Sequence, residues 1–152
     1  MKEGKSKIHD RLLKIKTDRA KHTILWEGKD MHEYSIAHGV YLTARRSADE
    51  YHATAVKVVH VEVGSLSMVN PEQVSFLFEV IAKEDNHPAL AAAKAVCEIV
   101  GPETTCVCGY TGTEIYVCPG CGALPEVVVG KDVAVSRLEI EVDDENVSNN
   151  NE

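Results

Sequence analysis

Residues 54–79, "TAVKVVHVEVGSLSMVNPEQVSFLFE", contain a strand pattern and a helix start on either side of one short loop. In the first half, valines alternate with polar residues, so that Val59, Val61 and Val63 fall on one face and His60 and Glu62 on the other. Alternation of this kind is typical of a strand with one face covered by a core. The stretch therefore predicts a half-buried strand followed closely by a helix.

The helix start is signalled by three residues in order. Asn70 can cap the first turn, Pro71 fits the first helical position, and Gln73 stands where a capping-box partner belongs. An apolar stripe at helical spacing follows, at Val74, Leu77, Phe78 and Ile81. The segment "EDNHP" should end this helix, because Pro88 cannot continue it and restricts the residue before it.

The rest of the chain supplies one more helix and two more strands. From Tyr34 to about Tyr51, apolar residues recur with a period of about 3.6 residues, which predicts an amphipathic helix. The runs "AVCEIV" and "VAVSRLEIEV" are rich in β-branched residues and read as strands. The sequence thus predicts an α+β fold, a small three-stranded mixed sheet with two helices, plus an inserted zinc-ribbon-like knuckle domain.

Composition and charge narrow the class of protein. The chain has 152 residues, 44% of them hydrophobic, which suffices for one modest core. Residues 1–30 carry nine Lys/Arg and five Asp/Glu, a net charge of +4. Residues 31–152 carry a net charge of −12, and the two sum to the −8 of the whole chain. So acidic a body would be repelled by phosphate backbones, which argues against nucleic acid as a partner. No run is apolar enough for a membrane span or a secretory signal, and we expect a cytoplasmic protein.

Four of the five cysteines lie within sixteen residues, in "CVCGYTGTEIYVCPGCG". Such clustering indicates metal binding in a reducing compartment. In the second pair, Pro119, Gly120 and Gly122 favour a tight turn whose backbone amides point at sulfur, while Gly109 relaxes the turn after the first, more closely spaced pair. The pattern predicts a structural zinc site; a rubredoxin-like iron centre and a dithiol redox pair are the alternatives. The predicted ligands are Cys106, Cys108, Cys118 and Cys121.

The other candidate residues receive plainer interpretations. Cys97 lies in an apolar strand and is predicted to be a small core residue. Among the histidines, His38 and His52 are expected on the first helix, His60 on the strand and His87 in a turn.

Combined, these motifs resemble the HypA/HybF family. The resemblance rests on "MHEYSIA" at residues 31–37, "VEVGSLSMVNPEQVSFLFE" at residues 61–79, the CPGCG knuckle and the closing "LEIEV" strand, and it extends from residue 31 to about residue 142. It implies a non-catalytic metallochaperone that delivers nickel to [NiFe]-hydrogenase or urease and holds a separate structural zinc. It also implies a HypB-type GTPase and a hydrogenase large subunit as partners, and a homodimer is considered as well.

In that family the Met-His-Glu triplet is the amino terminus and forms the nickel site, which here would consist of Met31, His32 and Glu33. A terminal amine, the following backbone nitrogens and an imidazole can close fused chelate rings around square-planar Ni(II). In the 152-residue chain the nitrogen of Met31 is an amide instead. We expect that translation begins at Met31; processing, or a different mode of nickel binding, are the alternatives.

Composition and the motifs together predict a domain division. Residues 31–103 and 123–142 would form the α/β nickel-binding domain, residues 104–122 the zinc knuckles, and residues 143–152 a disordered acidic tail. Residues 1–30, where Ile8, Leu12 and Ile15 form one helical stripe, are predicted to be a non-native or disordered extension, or else a basic arm that docks on an acidic partner. The rival function is a zinc-ribbon module for protein interaction or nucleic-acid binding, with no nickel role.

Overall fold

The structure, a computed structural model, describes residues 10–16, 23–24 and 33–143. Its two helices are α1 (Glu33–Glu50) and α2 (Pro71–Asp85). The strands of the larger sheet are β1 (Asp10–Lys16), β2 (Thr23–Ile24), β3 (Ala53–Gly64), β4 (Lys94–Val100) and β8 (Val133–Asp143). A smaller sheet contains β5 (Glu103–Thr105), β6 (Thr111–Gly112) and β7 (Glu126–Val129). Within these residues, no helix is long and apolar enough to span a membrane.

Strand β3 lies at the centre of the larger sheet. It pairs parallel with β4 on one side and antiparallel with β8 on the other. The parallel pairing requires a crossover, which α2 provides. The predicted mixed sheet of three strands with two helices is therefore confirmed.

Strands β1 and β2 extend that sheet beyond β8, and the helix considered for this stretch is wrong over Asp10–Lys16. The sequence allowed a second interpretation, because the leucine and isoleucine at positions 13 and 15 also alternate with lysines. Antiparallel pairing sets the basic strand beside an acidic one, with Lys14 opposite Glu139. Two segments of the predicted extension are thus strands, and the domain division itself stays a prediction.

Both helices bury their apolar stripes in a single core with the inner face of the sheet. Val59, Val61 and Val63 are buried as predicted, and Tyr41 of α1 meets Phe78 of α2 edge to face at 5.9 Å between ring centroids. The hydroxyl of Tyr41 also donates to Asp85, which links the two helices above the core. Packing of this kind fixes the helices against the sheet.

The ends of the helices match the sequence signals with one exception. The side chain of Asn70 accepts hydrogen bonds from the amides of Glu72 and Gln73, so the predicted cap is confirmed. Helix α2 ends where Asn86 adopts a left-handed conformation with φ 52°. The placement of His52 on α1 is wrong, since α1 ends at Glu50 and His52 lies in the following turn with φ 53°.

The smaller sheet, in the order β6-β5-β7, carries the cysteine-rich turns. A backbone hydrogen bond joins it to the larger sheet: the amide of Leu66, in the loop after β3, donates to the carbonyl of Gly130, just after β7. Strand β7 was not predicted, although "EVVV" is a β-branched run. It follows the predicted knuckle range and pairs with β5, so the smaller sheet contains residues on both sides of the cysteine-rich turns.

Candidate metal centre

Two hydrogen-bonded turns present the four clustered cysteines. In the first turn, the amide of Cys106 donates to the carbonyl of Tyr110, and the amide of Gly109 donates back to the carbonyl of Cys106. In the second, the amide of Cys118 donates to Ala123, and that of Gly122 to Cys118. The left-handed φ values of Gly109 (99°) and Gly122 (79°) close these turns, as the sequence predicted. Each turn therefore holds its two sulfurs on a short, closed loop.

The four sulfurs converge on one point. The Sγ atoms of Cys106 and Cys121 are 3.4 Å apart, those of Cys108 and Cys118 are 3.5 Å apart, and all four lie within 4.8 Å of one another. A zinc ion bound at about 2.3 Å to four thiolates places them about 3.8 Å apart, at the corners of a tetrahedron. The observed spacing fits that geometry. The cluster could hold a metal ion such as zinc.

A glycine and an amide complete the environment of the sulfurs. The N–H of Gly120 donates to Sγ of Cys118 at 3.3 Å. A β-carbon at Gly120 would meet Sγ of Cys108 at 3.3 Å, so the absence of a side chain there leaves room for the sulfurs. Amide-to-sulfur bonds stabilise a thiolate and orient it, which is the usual support for a ligand of this kind.

The pKa values of the clustered thiols differ widely from one another. Burial disfavours the thiolate of Cys118, but the amides of Cys121 and Gly120 and two neighbouring thiols outweigh that cost and lower its pKa to about 7. At Cys121 the amide of Ala123 favours the thiolate, yet the neighbouring cysteines raise its pKa to about 12. One sulfur can thus lose its proton readily, while others keep theirs. For all four sulfurs to be thiolates at this spacing, a positive ion would have to lie between them.

Cys97 stands apart from the cluster. It lies on β4, partly buried against the core, and burial raises the pKa of its thiol to about 11. A protonated, poorly exposed thiol is unreactive. The predicted role as a small core residue is confirmed.

The predicted nickel residues lie at the edge of what the structure describes. Met31 and His32 are outside the described residues, and Glu33 opens α1, half-buried in its first turn. An acidic side chain is favoured there by the helix dipole. The nickel assignment stays a prediction for all three residues.

Three other histidines have structural partners, in agreement with their plainer interpretation. His38 stacks on Tyr34, with ring centroids 6.3 Å apart. The Nε2 atom of His60 lies 2.6 Å from Oε2 of Glu139. His87 lies in the turn after α2, where its Nδ1 accepts a hydrogen bond from the amide of Ala89.

One supporting residue of the metal centre had no signal of its own. Thr104 is buried, and its hydroxyl donates to the carbonyl of Gly112, which ties β5 to β6 just before the first cysteine. A threonine in a polar stretch carries no pattern that distinguishes it from its neighbour Thr105. The pairing of β5 with β7 decides which of the two faces inward.

Comparison with known proteins is consistent with this site. A family model described as "Hydrogenase/urease nickel incorporation, metallochaperone, hypA" matches residues 31–140. A hydrogenase maturation factor HypA from Methanocella arvoryzae is 34% identical over 116 residues, covering 74% of this chain and 100% of that protein. One from Dechloromonas aromatica is 35% identical over 117 residues, covering 73% and 100%.

Solved structures share the fold. The solution structure of the Ni metallochaperone HypA from Helicobacter pylori matches with a TM-score of 0.61 at 21% identity, covering 72% of this chain and 97% of that one. A second solution structure of a HypA protein matches with a TM-score of 0.57 at 22% identity, covering 74% and 98%. Taken with the family match, the chain belongs to the HypA family of hydrogenase/urease nickel-incorporation metallochaperones.

Proposed function

We propose that this protein binds Ni(II) and delivers it to a [NiFe]-hydrogenase or a urease during maturation, and that it catalyses no reaction itself. The observation that carries the proposal is the family match over residues 31–140, which begins at the Met-His-Glu triplet and includes all four clustered cysteines. Nickel is the cargo, bound and released. The zinc ion would stay with the protein.

The nickel site would consist of His32 with the nitrogens of Met31 and Glu33 and, as a supporting group, the Glu33 carboxylate. Nitrogen donors joined in fused chelate rings suit a planar Ni(II) ion. A free amine at Met31 has an ordinary pKa of about 8, so a metal ion can displace its proton near neutral pH. We propose that the protein is active with Met31 as its first residue.

The zinc site would consist of Cys106, Cys108, Cys118 and Cys121. Two observations support it: the spacing of the sulfurs, which fits a tetrahedron, and the hydrogen bond from the amide of Gly120 to Sγ of Cys118. Four protein ligands leave no open position, so the ion would stabilise the knuckle and take no part in transfer. Thiolates hold zinc, whereas the nitrogen set favours nickel, and this difference in donor type would keep the two ions apart.

The partners follow from the proposed task. A HypB-type GTPase and the hydrogenase large subunit would exchange nickel with this protein in the cytoplasm. The reduced state required of four clustered thiols agrees with that compartment.

Calorimetric titration of zinc-loaded protein with Ni(II) tests the proposal. Replacement of His32 by Ala should weaken nickel binding by at least ~10-fold, the scale of the loss when a ligand environment is damaged. His52→Asn is the matched control: it removes an exposed imidazole in the turn after α1, and asparagine tolerates the left-handed backbone found there. It should bind nickel as the unchanged protein does.

The rival zinc-ribbon module predicts a different result. Such a protein would bind zinc but show no nickel affinity that depends on His32. Equal titrations for the unchanged protein and His32→Ala, with zinc content intact, would therefore favour the rival.

A further inference from the structure

Strand β4 forms an edge of the larger sheet. It pairs with β3 along its whole length, Lys94–Val100, and within the described ranges no strand pairs with its other side. Seven residues in an extended strand present a backbone edge about 23 Å long. An edge of this length is a template for another strand unless something covers it.

The side chains along this edge are unusually apolar for an exposed strand. Val96 is 42% exposed and Ile99 63% exposed, and beside them Phe76 of α2 is 63% exposed. A groove between α2 and β4 connects these residues. Edge strands that avoid association carry repeated charges of one sign, a proline or a bulge. Strand β4 has no proline, pairs with β3 in unbroken register, and carries one charge of each sign, Lys94 and Glu98.

We propose that a second copy of this chain pairs with this edge, β4 to β4 in antiparallel orientation, across a two-fold axis at Val96. In that register Val96 faces its own copy, Lys94 of one protomer faces Glu98 of its partner, and the reverse pair follows by symmetry. All three residues lie on the same side of β4, since they are two positions apart. The strand is therefore complementary to itself in charge as well as in shape.

Neighbouring registers lack this complementarity. A shift that centres the axis on Cys97 places Lys94 opposite Val100 and Val96 opposite Glu98. The opposite shift, centred on Ala95, places Lys94 opposite Val96. Only the axis at Val96 pairs unlike charges, and directly opposed unlike charges stabilise an antiparallel pair whereas like charges destabilise it.

A second copy fits this edge better than an unrelated strand. A foreign partner would need one acidic and one basic side chain at matching positions, whereas β4 itself carries both. The carbonyl of Ala95 already accepts a hydrogen bond from Ser75 at 2.6 Å, but a carbonyl oxygen has a second lone pair for an incoming amide. A two-fold contact of identical surfaces is also the commonest form of oligomer.

Sedimentation velocity of the full-length, zinc-loaded chain over a dilution series tests the proposal through a charge exchange. Lys94→Glu would place two acidic side chains opposite each other at both ends of the paired strands, and Glu98→Lys would place two basic side chains there. Each variant alone should therefore dimerise at least ~10-fold more weakly than the unchanged protein. In an equimolar mixture of the two variants, unlike charges again face each other, so the mixture should form a heterodimer. The chain that carries both substitutions also has unlike charges at these positions and should form a homodimer.

A control variant separates this local effect from a change in overall charge. Lys131→Glu is an exposed change of the same net charge in the turn before β8, and it should leave dimerisation unchanged. Positions 94 and 98 are exposed as well, so circular dichroism and zinc content should confirm that each variant is folded before it is compared.

Either of two outcomes would overturn the proposal. The unchanged chain could sediment as a monomer throughout the dilution series. Alternatively, it could dimerise with an affinity that neither Lys94→Glu nor Glu98→Lys alters.

Discussion

The junction between the two sheets depends on two glycines, and alanine substitutions measure how tightly it is closed. A β-carbon at Gly64 would lie 2.3 Å from the carbonyl carbon and oxygen of Gly130. A β-carbon at Gly130 would lie 2.7 Å from Cα of Pro102, and Gly130 also has φ 103°. At Gly101, next to Pro102 in the chain, a β-carbon would meet nothing within 4 Å. An alanine would thus meet a steric clash at Gly64, a clash together with an unfavourable backbone angle at Gly130, and neither at Gly101.

The expected costs follow from those contacts. Gly64→Ala forces a β-carbon into backbone atoms that cannot rotate away, and overpacking of this kind costs about 1–3 kcal/mol or more. Gly130→Ala adds the left-handed penalty of about 1–2 kcal/mol to a similar clash, so we expect a loss of about 2–5 kcal/mol. Gly101→Ala should change the free energy of unfolding by less than about 1 kcal/mol, because it adds no clash and restricts only the unfolded chain.

Guanidinium unfolding of zinc-loaded protein, followed by circular dichroism, measures these free energies. Zinc content should be determined for each variant, because loss of the ion would destabilise the chain by another route. If Gly64→Ala and Gly130→Ala unfold at the same denaturant concentration as Gly101→Ala, the close contact between the sheets does not exist in solution.

Four further predictions concern the metals and the hydrogen bond between His60 and Glu139. Elemental analysis should find one zinc per chain, lost in Cys118→Ser but retained in Cys97→Ser; iron in place of zinc would contradict the assignment. Added Ni(II) should bind without releasing zinc, measured with a zinc-specific dye, whereas stoichiometric release would mean a single shared site. A chain that begins at Met31 should bind Ni(II) in a yellow, planar form, and the 152-residue chain at least ~10-fold more weakly with octahedral character; identical absorption spectra would exclude the terminal amine as a ligand. A hydrogen bond from His60 lowers the pKa of Glu139 below its ordinary 4.5. Glu139→Gln should therefore lower the free energy of unfolding by less than about 1 kcal/mol at neutral pH, and this loss should vanish as the pH falls through the lowered pKa. A difference that persists in acid would show that this hydrogen bond does not stabilise the Glu139 carboxylate.

Local patterns in the sequence determined the elements of the body. Alternating valines predicted the buried face of β3, and the order Asn70-Pro71 predicted the first turn of α2. Signals of this kind act between residues that are neighbours along the chain, so they can be read without the fold. The spacing of the cysteines likewise predicted the knuckles, because each turn closes through its own backbone amides.

Pairings between distant residues were decided only by the tertiary structure. Leu12 and Ile15 fit a helical period, while the residues at positions 13 and 15 fit a strand period, and the open side of β8 selected the strand for Asp10–Lys16. The first and second cysteine pairs are separated by a polar loop, and it is the sheet of β5, β6 and β7 that brings their sulfurs together.

The open edge of β4 and the contact of Gly64 with Gly130 arise in the same way. Whether a strand lies at the centre or at the edge of a sheet depends on which partners compete for it, and Lys94–Val100 carries the same β-branched pattern in either place. The sequence by itself determined which segments fold and which residues carry the metal chemistry. The tertiary structure decided which of them meet, because long-range pairing depends on the shape and hydrogen-bonding capacity of surfaces that exist only once the chain has folded.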